Sequence, residues 1–394
     1  MSIADVLPSQ DVARSTRGRV PAWHFLLNNS TLDVTTTDAT FTLGEGSHDQ
    51  ATVNVTSDTL TTTDGLVNQP VSFVWGQAPH SEFFNGYITD VTENSAGATG
   101  ALTFGMTVMG ATKAMFTGKP RFWDNKTIPS AIADLVAFNL LGYLGHDHIY
   151  TWSGLSQTEE SDWEMAIDLA SRLGWVVFNR YGVVLAYDPL KLFSESGVYT
   201  RLVMGSGSNF DPSTDRNLLE FQPQEQSTML NENLGVKYGY FTSGDAVQVI
   251  SQPGTFQGYT FNTNVVIESQ DAAQVYIGAA TSSIDRWQQY ALARVWGDAD
   301  LYPGLCVEVV STNTRYLKTK FDGKWLIRQA THQMDRQSYQ TLLFLTRPNS
   351  TTPVSAVSYT PFWSSGPGKT RPRLSISEGD WVSSWANSRL RSLQ

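Results

Sequence analysis

Glu159, Glu160, Asp162 and Glu164 form the densest carboxylate cluster in the chain. Two carboxylates held at a set separation are the core of glycoside hydrolysis, one kept protonated as acid and the other ionised. The same residues also spell a helix start. Ser161-Asp162-Trp163-Glu164 has capping-box spacing, in which the Ser hydroxyl and the Glu carboxylate each satisfy a free backbone N–H, and the helix dipole favours negative charge there. That spacing accounts for the cluster without any reaction. His146-Asp147-His148 would set two imidazoles on one side of a strand, as a metal site does, but a third ligand is required, and His24, His80 and His332 are remote. Cys306 is the sole cysteine, so no intrachain disulfide or CxxC motif is available, and its alternating apolar surroundings mark a buried thiol. There is no GxSxG elbow. Gly205-Ser206-Gly207-Ser208 lacks the Lys of a P-loop and the third Gly of a dinucleotide fingerprint, so it reads as a flexible turn. No catalytic, metal or cofactor site is read here, and the expectation is a protein that is not an enzyme.

These residues belong to a chain of 394 residues with 27 Lys+Arg against 37 Asp+Glu, a net charge of −10. Only 16% of residues are charged and 12% are aromatic, so sizeable cores can be buried. The length suits two or three domains. An acidic excess without basic blocks argues against a protein that grips nucleic acid through its phosphates. The start, Met1-Ser2-Ile3-Ala4-Asp5, lacks the basic-then-apolar order of a signal peptide. The longest apolar run, 135–144, is broken by Asn139 and reaches about half the length of a membrane helix. Folding in a cytoplasm, without membrane insertion, is expected.

The elements that must position these residues follow from periodicity. Residues 1–20 read as an N-terminal arm. Residues 21–118 alternate apolar and polar positions, as at Val53 and Val55, or Val71, Phe73 and Trp75, with turn clusters at Thr63-Asp64-Gly65, Asn85-Gly86 and Ala96-Gly97. This is the pattern of a closed or nearly closed β-barrel. Residues 119–204 form an α+β module. Thr127-Ile128-Pro129 opens one helix with Pro in its first turn, the capping box opens a second, and Gly174 suits the left-handed residue that ends it. Residues 175–178 and 183–187 then make a hairpin across Arg180-Tyr181-Gly182, closed by Asp188-Pro189. Residues 205–350 read as a second β-barrel with an insertion at about 241–290. Strands are expected at 236–240, 247–250, 306–310, 325–330 and 341–346, and a helix over 269–280. The predicted fold class is mainly β with α+β insertions: two tandem β-barrels, a helix-helix-hairpin module between them, and an extended C-terminal tail, 351–394, without its own core.

Three groups of motifs carry a resemblance. The run Phe84-Asn85-Gly86-Tyr87-Ile88-Thr89-Asp90-Val91 is one. Thr127-Ile128-Pro129-Ser130-Ala131-Ile132, with Glu160-Ser161-Asp162-Trp163 and the run from Leu169 through Gly174 to Trp175, is the second. Gly297-Asp298-Ala299-Asp300-Leu301-Tyr302-Pro303-Gly304, continued at Asp322-Gly323-Lys324-Trp325, is the third. In this order they resemble the late-control protein D type of phage tail and baseplate hub proteins, related to the hub part of type VI secretion spikes, over roughly residues 20 to 350. The resemblance implies a homotrimer whose six similar barrels make a pseudo-sixfold ring. Such a ring joins a sixfold tail tube, or distal tail protein, to a threefold spike or fibre, and lets DNA pass at ejection without specific binding. It places the protein at a virion tail tip or baseplate, assembled in the host cytoplasm. Gly86, Ser161, Glu164, Gly174, Gly297, Pro303, Gly304 and Gly323 are expected at turn or cap positions. No long repetitive β-helix follows residue 350, so the spike is expected to be a separate chain.

The tail inverts the charge of the rest. Residues 351–394 carry +3, leaving −13 for the remainder. Trp363, Arg371, Arg373, Trp381 and Trp385 are candidates for docking on a neighbouring subunit or tail component, Trp381 and Trp385 sharing one face if helical. A carbohydrate- or receptor-binding tail protein is the alternative that the aromatic content suggests. A tail-associated hydrolase is the third reading, which the missing catalytic motif disfavours.

Overall fold

Apolar residues alternating with Thr, Asn and Gln can bury one face of a pleated ribbon and wet the other, which makes most of this chain strand. In a computed structural model, residues 22–27, 30–31, 34–60, 62–77, 80–94, 102–204, 215–225, 234–241, 247–252, 259–267, 269–286, 289–311, 321–335 and 337–348 are described. The first unit holds β1 (Ala22–Leu27), β2 (Ser30–Thr31), β3 (Thr35–Gly44), β4 (Gln50–Ser57), β5 (Pro70–Gln77), β6 (His80–Asn94) and β7 (Leu102–Gly110). They pair in the order β3-β4-β7-β6-β5-β1-β2. Phe41, Val53, Trp75, Phe84, Ile88 and Phe104 fill its core. Phe41 on β3 stacks on Trp75 on β5 with ring centroids 4.3 Å apart, so the sheet is rolled until strands separated in its order meet. The turn expected at Asn85-Gly86 is not a turn. Both residues lie inside β6, where a Cβ on Gly86 would stand 2.2 Å from the Met109 carbonyl oxygen, a close approach that only Gly permits.

The α+β module runs through β8 (Arg121–Thr127), α1 (Ile128–Phe138), β9 (Gly142–Gly145), β10 (Thr151–Gln157), α2 (Asp162–Ser171), β11 (Val176–Arg180), β12 (Val183–Tyr187) and α3 (Pro189–Glu195). Thr127 caps α1 by accepting from the Ser130 N–H at 3.3 Å. The capping box forms as the spacing requires: Ser161 Oγ accepts from Glu164 N–H at 3.2 Å, and Glu164 Oε2 accepts from Ser161 N–H at 2.9 Å. Gly174, at φ +70°, follows α2 in the left-handed region. Tyr181 and Gly182, both at positive φ, turn the β11–β12 hairpin. Asp188 does more than close that hairpin: its carboxylate accepts from Leu190 and Lys191 N–H and caps α3.

The remaining elements are β13 (Thr200–Met204), β14 (Asp215–Glu225), β15 (Leu234–Phe241), β16 (Val247–Gln252), β17 (Tyr259–Ile267), α4 (Gln270–Arg286), β18 (Gln289–Trp296), β19 (Cys306–Ser311), β20 (Gly323–Asp335) and β21 (Tyr339–Arg347). Six of them close a barrel in the order β19-β13-β14-β18-β21-β20, with β20 returning to β19. Leu202, Phe221, Val295, Val307, Trp325 and Leu345 pack inside it. The inserted unit is wider than the expected 241–290. β15 pairs with β16 and β17 in a sheet of its own, and Ala272 and Ala273 of α4 join the core of the α+β module.

β20 serves both halves. Its first residues pair with β19, and from Gln329 to Asp335 the same edge pairs with β3. β3 lies between β4 and β20, and among the described residues the first unit runs from β3 to β2 as a nearly closed sheet. The result is one continuous sheet of thirteen strands among the described residues.

Candidate functional site

The turn between β3 and β4 reaches the other two units. Glu45, 2% exposed at its side chain, accepts from Arg328 Nε at 2.7 Å and from the Tyr187 hydroxyl at 2.8 Å. Its backbone N–H bonds the Arg328 carbonyl, and Gly46 N–H bonds Val177. Asp49 closes the turn by accepting from Gly44 N–H and from Asn179 Nδ2 at 2.9 Å. Arg328 is positioned by a bulge, since the β20–β21 register shifts between Ile327 and Gln329. An extra residue in one strand re-aims its side chain.

A second tie runs through the barrel interiors. Trp75 Nε1 donates to the Tyr339 hydroxyl at 3.2 Å; that hydroxyl lies 2.9 Å from His332 Nδ1, and His332 Nε2 lies 3.0 Å from the Leu301 carbonyl. A carbonyl only accepts, so Nε2 carries the proton and Nδ1 is left to accept. Burial disfavours the charged ring and pushes the His332 pKa down to about 4, against the hydrogen bond to Leu301, which favours it. Gly297 makes room, its N–H bonding the Tyr339 carbonyl where any Cβ would strike the Tyr339 ring.

These ties hold the two halves so that their outward faces form one surface. A cross-strand row runs Glu220, Arg294, Leu342, Thr331, Thr42, Gln50, Met109, from β14 to β7, and every member points outward. A second runs Trp296, Gln340, Gln333, Thr40, Thr52, Thr107. The only formal charges in these two rows are Arg294 and Glu220, paired with each other at 2.6 Å. Leu292 and Leu342, 51% and 38% exposed, flank a groove on the barrel part of this face.

The carboxylate cluster is structural. Burial works to raise the Asp162 pKa, but hydrogen bonds from Arg121, Gln157 and Asn139 prevail and hold it below the usual carboxylate range. Backbone N–H bonds likewise hold Glu160 and Glu164 low, so neither is a carboxyl kept protonated for acid catalysis. His146 and His148 accept at Nδ1 from the Asp188 and Tyr150 N–H groups, and their rings lie 6.0 and 6.1 Å from the Trp175 ring. Cys306 is buried in β19, which pushes its thiol up to about 12. Pro303 and Gly304 are buried in the loop before β19, Gly304 N–H bonding Ile327, and Gly323 opens β20. The Gly205–Gly207 turn and the candidates Trp363, Arg371, Arg373, Trp381 and Trp385 lie outside the described residues. Sequence reading missed Glu45, Asp49 and Arg328. The Glu45 partner stands 283 residues away, and no local pattern announces it.

No family model matches the chain, and no curated protein matches it in sequence. Solved structures share its fold. A tail protein from Neisseria meningitidis, 14% identical, superposes with a TM-score of 0.61 over 85% of this chain and 99% of its own. A 43 kDa tail protein of prophage MuSo2 from Shewanella oneidensis, 11% identical, gives 0.58 over 83% and 98%. An E. coli type VI secretion component, described as similar to the phage T4 tail proteins gp27 and gp5, gives 0.55 at 13% identity over 83% of this chain and 77% of its own. The fold is therefore that of phage tail and type VI spike-related proteins, as the motifs suggested.

Proposed function

We propose that the chain is a structural, non-enzymatic hub of a phage tail tip or baseplate. Three copies close a ring in which the two β units of each chain alternate, joining a sixfold tube to a threefold spike or fibre. The observation that carries this reading is the β3–β20 ladder, which fuses two β units into one sheet surface. Two similar units per chain are what three copies need to imitate sixfold symmetry. Eight strands per copy, from β14 through β6, at about 4.8 Å spacing would give three copies a circumference on the order of 115 Å, a ring wide enough for a duplex.

The charge pattern favours passage over binding. Residues 20–112 contain no Lys or Arg against nine Asp or Glu. A wall without free cations displaces no counterions from phosphate and so does not hold DNA. The tail 351–394, with +3 and three Trp, docks on a neighbouring subunit or tail component in this reading. Receptor or glycan binding through aromatic platforms finds less support, because Trp75, Trp123, Trp152, Trp163, Trp175 and Trp325 are all buried. Mass photometry with negative-stain class averages tests the assembly: trimeric rings with sixfold-like outlines support it, and a persistent monomer or a twofold dimer under assembly conditions overturns it.

A further inference from the structure

One chamber is walled by all three units. It has a volume of about 20 Å³ and is bounded by Asn85 of β6, Asp49 just before β4, Asn179 and Arg180 of β11, and Tyr302 in the loop before β19. Each of these residues is at most 7% exposed. Neither Nδ2 nor Oδ1 of Asn85 has a hydrogen-bond partner among the described residues, and neither does Asn179 Oδ1. The other end of the Asn179 amide is committed to Asp49. A buried primary amide without partners loses its bonds to water and gains nothing in return, so such groups are normally satisfied.

We propose that the chamber binds a single water molecule that bridges the first β unit and the α+β module. The ligand must donate to the oxygens of Asn85 and Asn179 and accept from Asn85 Nδ2, which a water does in either orientation of the amide. A small cation is disfavoured by the Arg180 guanidinium, which lies over the Tyr302 ring beside the chamber, and an anion by the Asp49 carboxylate. The volume admits one water and little more. Such a water ties Asn85 of the first unit to Asn179 of the module.

The test uses the intact chain. A crystal structure at a resolution that shows ordered water should place one peak within hydrogen-bond distance of the Asn85 carboxamide and Asn179 Oδ1. Oxygen-17 relaxation dispersion should count one more long-lived water in the native protein than in Asn85→Leu. A chamber without such a peak, with Asn85 bonded to a protein group, overturns the proposal, as does an equal count in both proteins. Should Asn85→Leu fail to fold, the native density decides alone.

Discussion

Single residues set how firmly the units are joined. Arg328 and Glu45 are 11% and 2% exposed at their side chains, so deleting one leaves the other charged and buried. Glu45→Ala is expected to cost about 3–5 kcal/mol, measured by urea unfolding, with Glu45→Gln milder because the Tyr187 bond survives. His332 makes stability depend on pH. Its folded pKa of about 4 lies below the ordinary 6.5, so between those values the unfolded chain binds a proton that the folded chain refuses. Stability contributed by the neutral ring is full above pH 6.5, falls as pH drops, and is exhausted near pH 4. The loss is on the order of 3 kcal/mol. Arg180 opposes and Asp300 favours the charged ring. Unfolding free energies at pH 7, 5.5 and 4.5 should fall more steeply in the native protein than in His332→Gln; parallel slopes would contradict this.

Elements show where the sequence was readable and where it was not. The capping box over α2 was legible because it is purely local, and Ser161→Ala should cost about 1 kcal/mol in thermal or urea unfolding. β18 was missed for a physical reason: its inward residues are Gln289, Ala291, Ala293 and Val295, while bulkier Leu292 and Trp296 face out, which inverts the usual pattern. β14 carries Pro223 near its end, a residue that argues against a strand on sequence grounds. Asn85-Gly86 misled in the opposite direction, since Asn-Gly is a strong hairpin signal, and only the approach of β7 explains the glycine. Gly86→Ala is expected to cost about 3 kcal/mol by overpacking. Hydrogen exchange should show the lost protection in β6 and β7; uniform loss across the chain would point elsewhere.

At the scale of the whole molecule, charge and topology point the same way. Composition argues against a phosphate-gripping protein, and the two cross-strand rows that run over both halves carry only the paired Arg294 and Glu220. Both β halves and the module between them were legible from alternation and turn chemistry. Their fusion into one sheet was not, because the β3–β20 ladder joins residues nearly three hundred apart. The central claim is that three copies turn this shared face toward an axis. Cryo-electron microscopy of the assembled tail tip tests it most directly. The expected result is a threefold ring whose inner wall is lined by Thr331, Thr42 and Gln333; a ring that turns these residues outward, or a location off the tail axis, would contradict it.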